Sequence, residues 1–160
     1  DIGQSIDLYS LASEWSIFMD AKIQDYTLQS FQRVLTNDSS ISSPDIPLGV
    51  QFRDTGDVYF FNNGSVDSTT ITSATQRNLV SFIKRSSDTI YAINGTSATG
   101  TKGSVDFTTG LQNTTIGNSP NGTTRPAKLK TAELIVFDSD QSDNRTGIEG
   151  NIDNYFRITP

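Results

Sequence analysis

The sequence predicts an all-β fold, a sandwich or jelly roll of short strands, with one short helix at its C-terminal end. Ser and Thr number 20 each in 160 residues, whereas Glu occurs three times, and this composition disfavours helices and favours strands and turns. About eight short segments alternate between apolar and polar residues at intervals of roughly ten residues. The length suits a single domain over residues 1–160. Because the chain begins at Asp1 rather than at Met, we also expect it to be a piece of a larger protein.

The first strands follow from apolar residues that recur at every second position. Residues 14–23 alternate in this way and predict a half-buried strand, and residues 30–36 predict a second one. Residues 49–61 predict a hairpin that turns at residues 54–57. In this hairpin we expect one face to carry Val50, Phe52, Tyr59 and Phe61, and the opposite face to carry Gln51, Arg53, Val58 and Phe60.

The second half of the chain predicts another hairpin, two further strands and the helix. The hairpin covers residues 78–95 and turns at residues 86–88, and strands follow at residues 113–117 and 127–138. The helical segment is expected to begin after Ser142, which suits an N-cap position. Its apolar face is expected to carry Ile148, Ile152 and Tyr155 or Phe156.

The stretch FDSDQSDNRTGIEG, residues 137–150, has the ligand spacing of an EF-hand calcium loop. That loop type also needs a preceding helix, a glycine at its sixth position and an apolar residue at its eighth. Here a strand precedes it, Asp143 is sixth and Arg145 is eighth. We therefore interpret the stretch as a strand end, a turn and a helix start. The oxygen-bearing residues in the spacing are Asp138, Asp140, Ser142, Asn144, Thr146 and Glu149.

The composition removes several classes of chemistry. Without cysteine or histidine, disulfides, thiolate metal sites and histidine-dependent catalysis are excluded. A net charge of −6, with no Lys/Arg-rich stretch, argues against a nucleic-acid partner. No apolar run approaches the ~20 residues of a membrane-spanning helix, so we expect no membrane insertion.

The segment AELIVFD followed by SDQSDNRTGIEGNIDNYFRI, residues 132–158, resembles the C-terminal end of laminin-G-like, concanavalin-A-like jelly-roll domains. It is especially similar to the versions found in tailed-phage virion proteins and bacterial surface proteins, in which a last strand leads through a turn into a short helix. Residues 15–23, 79–95 and 114–122 follow the order of the family's earlier strands. The matching C-terminal residues are Glu133, Ile135, Phe137, Ser142, Arg145, Ile148, Glu149, Ile152 and Tyr155.

The resemblance implies a concanavalin-A-like jelly-roll β-sandwich with a short C-terminal helix. It does not imply one activity, because this fold occurs in lectins, adhesion modules, hydrolases and structural domains. Hydrolases of the family typically carry an ExDxxE motif, which the sequence lacks. Glu133 and Asp138, five residues apart, would point to opposite faces of a regular strand rather than flank a glycosidic bond. We expect no catalytic residues.

Glycan binding is the favoured functional hypothesis. Sugars bind to aromatic ring faces with amide and charged groups nearby, and we expect the non-core face of the 49–61 hairpin to provide such groups. The alternative is that its aromatic residues fill a second layer of the sandwich. The candidate glycan-binding residues are Phe18, Gln51, Arg53, Phe60, Asn62 and Asn63.

Calcium is a weaker expectation, and no other cofactor is expected. Two acidic clusters could supply loop oxygens to calcium, although turn formation explains the same residues. Asp54 and Asp57 belong to the first cluster, and Asp138 and Asp140 to the second.

The sequence thus favours a non-catalytic, lectin-like domain on a virion surface or in an extracellular setting. Its expected partners are carbohydrate on a host or environmental surface and other virion proteins. The alternatives are a polysaccharide-degrading enzyme of the same fold and a purely structural module of a tail or capsid.

Overall fold

The computed structural model describes residues 14–25, 31–37, 48–62, 65–70, 76–100, 114–118 and 126–156. These residues form two antiparallel sheets packed face to face and one helix, which confirms the predicted all-β jelly-roll sandwich with a C-terminal helix. In chain order the elements are β1 (Trp15–Ile23), β2 (Phe31–Asn37), β3 (Leu48–Arg53), β4 (Asp57–Asn62), β5 (Ser65–Thr70), β6 (Asn78–Lys84), β7 (Thr89–Ile93), β8 (Thr96–Gly100), β9 (Thr114–Ile116), β10 (Leu129–Lys130), β11 (Leu134–Phe137) and α1 (Arg145–Phe156).

Each sheet combines strands that are consecutive in the chain with strands from distant segments. Sheet A has the order β10–β1–β6–β7–β8, with β11 also paired to β1. Sheet B has the order β5–β4–β3–β2–β9. The predicted strand at 127–138 is therefore two short strands on the same side of β1, separated by a break at which the carbonyl of Glu133 accepts a hydrogen bond from the amide of Asp20.

Strand β1 is buried on both faces, so the prediction of a half-buried strand was wrong. The side chains of Trp15, Ile17 and Met19 point into the space between the sheets. Phe18 points the other way and packs beneath α1. The sequence alternation correctly separated the two faces, but the helix covers the face that was expected to be open.

The hydrophobic core lies between the two sheets and includes a set of aromatic rings. Phe82 of β6 makes edge-to-face contacts with Trp15 and Phe60, at centroid distances of 5.2 and 5.5 Å. Aromatic pairs favour such edge-to-face geometry. The buried core residues are Trp15, Ile17, Met19, Ala21, Ile23, Val34, Leu35, Val50, Phe52, Val58, Phe60, Val80, Phe82, Tyr91 and Ile93.

The faces predicted for the 49–61 hairpin were wrong for its second strand. Val50 lies opposite Phe60 and Phe52 lies opposite Val58, so these four residues share the core face. The loop has three residues, 54–56, with Gly56 at φ 87° and its amide bonded to the carbonyl of Arg53. A turn over 54–57 would have shifted the register by one residue, and such a shift exchanges the faces of a strand.

Strands β6 and β7 confirm the second predicted hairpin, and β8 extends it. Lys84 pairs with Thr89 across the first turn. The next turn has two residues, Asn94 and Gly95, at φ 50° and 79°. These values fit a type I′ turn, which favours Asn-Gly because both central residues need positive φ. Strand β8 was not predicted, since its Ser- and Thr-rich sequence has no apolar alternation.

Helix α1 packs across the outer face of sheet A. The helix begins at Arg145, two residues later than expected, because residues 141–145 first form a tight turn. Asn144 rather than Ser142 is the N-cap, and its carbonyl accepts the amide hydrogen bond of Ile148. In the described parts of the chain, no helix is long and apolar enough to span a bilayer. The apolar contacts beneath the helix involve Phe18, Leu79, Ile83, Ile90, Ile135, Phe137, Ile148, Ile152 and Phe156.

Candidate functional site

The outer face of sheet B, turned away from the core, brings cationic, amide and aromatic side chains together. The strand register determines this grouping, since directly paired residues share a face. Phe31 of β2 pairs with Arg53 of β3, Arg33 of β2 pairs with Gln51 of β3, and Gln51 pairs in turn with Tyr59 of β4. We use the name outer face of sheet B for Phe31, Arg33, Gln51, Arg53, Tyr59 and Phe61.

Arg53 is held at the middle of this face by two aromatic rings. Its Cζ lies 4.7 Å from the ring centre of Phe31 and 5.3 Å from that of Tyr59. Its Nη1 donates a hydrogen bond of 2.7 Å to the hydroxyl of Tyr59. Among the described residues, no carboxylate forms an ion pair with Arg53 and its buried Nε has no hydrogen-bond partner. The guanidinium therefore keeps its positive charge unneutralised within this part of the chain.

The remaining side chains of the face range from half-buried to buried. The rings of Tyr59 and Phe61 are stacked at 6.4 Å with an interplanar angle of 26°. Tyr59 and Phe31 are half-buried, whereas Arg33 and Gln51 are buried. The face thus offers partly exposed rings on either side of a cation, which is the chemistry that carbohydrate sites use.

Two of the predicted glycan-binding residues lie together on this face, and two lie elsewhere. Gln51 and Arg53 are on the outer face of sheet B, as expected, where Arg53 is half-buried and Gln51 is buried. The prediction that Phe18 and Phe60 present ring faces was wrong, since they are 0% and 1% exposed. Phe18 belongs to sheet A beneath the helix, and Phe60 points into the core because of the three-residue loop.

The remaining two predicted residues cannot be placed at the site. Asn62 ends β4, and its side chain lies outside the described residues, as does all of Asn63. The sequence reasoning missed four members of the face, Phe31, Arg33, Tyr59 and Phe61. The signal that would have found Tyr59 is the glycine at the third loop position, which favours a three-residue turn.

The acidic residues considered for calcium lie at two separate turns. Asp57 accepts hydrogen bonds from the hydroxyls of Thr55 and Thr70, at 2.7 and 3.2 Å. Its cluster partner Asp54 is exposed in the same turn. Within the described ranges, no group of three or more acidic side chains is placed to hold a metal ion.

The second acidic cluster contains Asp138 and Asp140, and Asp140 lies near a cation of the chain itself. The Oδ1 of Asp140 accepts the amide hydrogen bond of Ser142, which is ordinary turn geometry. Arg85 lies near this cluster, and its hydrogen bonds to Asp88 raise the pKa of its guanidinium, with smaller contributions from the charges of Asp140 and Asp143. The negative charges of Asp140 and Asp143 therefore already act on the guanidinium of Arg85.

Glu149, the twelfth position of the EF-hand spacing, points into sheet A. Its Oε1 accepts a 2.7 Å hydrogen bond from Ser81, and both of its oxygens accept from Arg145 Nη1 at 3.0 Å. These contacts attach the helix to the sheet, so the spacing that resembles a calcium loop reflects helix docking.

Comparison with known proteins shows which solved structures share the fold of this chain. No protein-family model and no curated protein sequence matches the chain. A carbohydrate-binding module, the CBM40 of the Ruminococcus gnavus IT-sialidase solved with α2,6-sialyllactose, has a TM-score of 0.70 at 15% identity. The match covers 89% of this chain and 85% of that one.

Whole sialidases match over a smaller share of their length. The K499G mutant of NanB sialidase from Streptococcus pneumoniae has a TM-score of 0.68 at 18% identity, covering 89% of this chain and 26% of that one. A Trypanosoma rangeli sialidase has a TM-score of 0.62 at 9% identity, covering 82% of this chain and 21% of that one. The chain thus spans about a quarter of the NanB sialidase. The chain has the β-sandwich fold of the sialidase-associated modules to which it is similar. These structures do not support the resemblance to phage virion proteins and laminin-G domains that the C-terminal sequence suggested.

Proposed function

We propose that the chain is a non-catalytic carbohydrate-binding domain that binds glycans ending in a carboxylated sugar such as sialic acid, on the outer face of sheet B. The observation that carries this proposal is the guanidinium of Arg53, held between the rings of Phe31 and Tyr59 with no ion-pair partner among the described residues.

The chemistry of these groups suits an acidic sugar. The planar guanidinium can donate two parallel hydrogen bonds to a carboxylate, an arrangement stronger than neutral hydrogen bonds. Tyr59 and Phe31 offer partly exposed rings against which the apolar face of a sugar can pack. The R. gnavus module of similar fold was solved with sialyllactose, which supports a sialylated ligand here as well.

A binding module is favoured over the alternative of an enzyme by the extent of the matches. The alignment covers 85% and 90% of the R. gnavus module chains but 26% of the NanB sialidase. The other alternative, a purely structural module, predicts no glycan affinity at all. Attachment to a virion or a cell surface stays a prediction, and the similar structures reported above do not bear on it.

The test is isothermal titration calorimetry with 3′-sialyllactose, 6′-sialyllactose and lactose. We expect binding of the sialylated sugars, weak or undetectable binding of lactose, and at least tenfold weaker binding by Arg53→Gln, about 1.4 kcal/mol. Arg85→Gln is the matched control, because that arginine lies in the turn between β6 and β7 of the other sheet and its replacement should leave affinity unchanged.

Two outcomes would contradict the proposal. Absence of heat with every sialylated sugar at millimolar concentration would favour the structural module. Release of free sialic acid from sialyllactose during a long incubation would point instead to the enzyme.

A further inference from the structure

We infer that Phe31 and Tyr59 are positioning residues, which fix the Arg53 guanidinium in its ligand-binding orientation before a ligand arrives. This inference rests on the proposed function for the identity of the ligand, but the geometry that it concerns belongs to the free protein. It assigns to the two rings a part in selecting carboxylated over neutral sugars.

The arrangement comes from three neighbouring strands. Arg53 lies on β3, between β2 and β4 in sheet B. Phe31 on β2 is its direct cross-strand partner. Tyr59 pairs with Gln51, two residues before Arg53, and therefore approaches from the diagonal position on the other side. Each neighbouring strand thus contributes one ring, and the arginine lies between them.

The contacts on Arg53 orient its guanidinium without neutralising its positive charge. The ring centres at 4.7 and 5.3 Å are within the range of cation–π attraction. The hydrogen bond from Nη1 to Tyr59 Oη fixes the guanidinium against rotation. Of the five N–H donors of an arginine, one on Nη1 is used by Tyr59, and the buried Nε has no hydrogen-bond partner among the described residues.

An arginine held in this way loses less conformational freedom when it binds. A free arginine side chain samples many rotamers, and fixing them at the moment of binding weakens affinity. Because both rings contact the guanidinium of Arg53, removing one should weaken binding of a carboxylated sugar and have a smaller effect on its neutral counterpart. A purely structural contribution of the rings would instead lower stability and leave the ratio of the two affinities unchanged.

The test compares Phe31→Leu and Tyr59→Phe with the unaltered protein. Tyr59→Phe keeps the ring and removes the hydrogen-bond acceptor, and Phe31→Leu removes one ring. Phe137→Leu is the control, because that half-buried ring lies on sheet A and contacts Phe18. The first readout is the ¹⁵N order parameter of the Arg53 Nε–H group in each free protein. The second is the ratio of the dissociation constants for 3′-sialyllactose and its neutral methyl ester.

We expect a rigid Arg53 Nε–H group in the unaltered protein and in Phe137→Leu, and a mobile one in Phe31→Leu. Tyr59→Phe should fall between them. We also expect the preference for the carboxylate over the ester to fall by about threefold to tenfold in Phe31→Leu. A mobile Arg53 in the unaltered protein would overturn the inference, as would an unchanged preference in both variants.

The two proposals fail separately in this design. If the unaltered protein holds Arg53 rigidly but binds no sialylated sugar, the proposed function fails, whereas the positioning of Arg53 by its rings is upheld by the order parameters. If sialyllactose binds through Arg53 but the ring variants leave both readouts unchanged, the positioning inference fails and the proposed function stands.

Discussion

Ser81 in the middle of strand β6 donates a 2.7 Å hydrogen bond to Oε1 of Glu149, on the inner face of the C-terminal helix. Both residues are buried. The same carboxylate accepts from Arg145, whose guanidinium also approaches the carbonyl of Gly95 and the hydroxyl of Ser97 in the β7–β8 hairpin. A polar contact thus connects the helix to the centre of sheet A within an otherwise apolar interface.

Removing the donor of this contact should destabilise the fold. Ser81→Ala leaves a buried carboxylate with one hydrogen bond fewer, and we expect a loss of about 1–3 kcal/mol in the free energy of unfolding. The measurement is urea unfolding followed by tryptophan fluorescence at Trp15. Ser68→Ala, at an exposed strand position, is the control and should change stability by less than about 0.5 kcal/mol. Equal stability of the two variants would show that the contact contributes nothing.

Two glycine substitutions should have opposite effects, although both sites have space for a methyl group. A Cβ at Gly95 or at Gly147 would have no heavy atom within 4 Å. Gly95 is at φ 79°, where an L-residue is strained, and Gly95→Ala should cost about 1 kcal/mol or more. Gly147 is inside α1, and Gly147→Ala should stabilise by about 0.5–1 kcal/mol. The change in Tm gives both signs, and a stabilising Gly95→Ala would refute the type I′ turn.

Arg77 should be essential for keeping Asp20 in the protein interior. Asp20 is 0% exposed, and Nη1 of Arg77 donates to its Oδ2 while the guanidinium lies 5.6 Å from the ring centre of Phe156. Arg77→Met leaves the buried carboxylate without this partner, so we expect a loss of about 3–5 kcal/mol. Adding Asp20→Asn removes the uncompensated charge and should recover part of that loss. Chemical unfolding of Arg77→Met, Asp20→Asn and the double variant measures the coupling between the two residues, and strictly additive effects would contradict it.

The register of the β3–β4 hairpin can be tested with two adjacent aromatic residues. Phe60 lies in the core and Tyr59 on the outer face of sheet B. Phe60→Ala should cost about 3–5 kcal/mol, because it leaves a cavity among buried side chains. Tyr59→Ala should cost less, since its ring is half-buried. Reversal of this order in unfolding experiments would mean that the register is shifted by one residue.

Much of the fold was accessible from the sequence because it is encoded locally. The alternation in residues 14–23 assigned Ile17 and Met19 to one face and Phe18 to the other, as observed. The turns at 54–57 and 86–88 were found within a residue or two, since turn residues act through their own backbone preferences. The C-terminal helix was found from its apolar spacing, although it starts at Arg145 rather than just after Ser142.

The candidate site was predicted in part, because a site depends on register as well as on residue type. Gln51 and Arg53 lie on the outer face of sheet B, as predicted, whereas Phe60 was placed on the wrong face by a one-residue difference in loop length. Phe31 could not be connected with Arg53 from local sequence, since the pairing of β2 with β3 crosses a long intervening segment.

The all-β class, the positions of most strands and the terminal helix follow from local sequence, because composition, periodicity and turn residues act over a few neighbouring positions. Which faces are covered and which side chains meet depends on packing between distant segments. The helix buries the face of β1 that the alternation left open. Glu149, which occupies the last position of the EF-hand spacing, accepts a hydrogen bond from Ser81 of the sheet. Cross-strand register and the pairing of distant segments place Arg53 between Phe31 and Tyr59. Register and long-range pairing are not encoded in the local sequence.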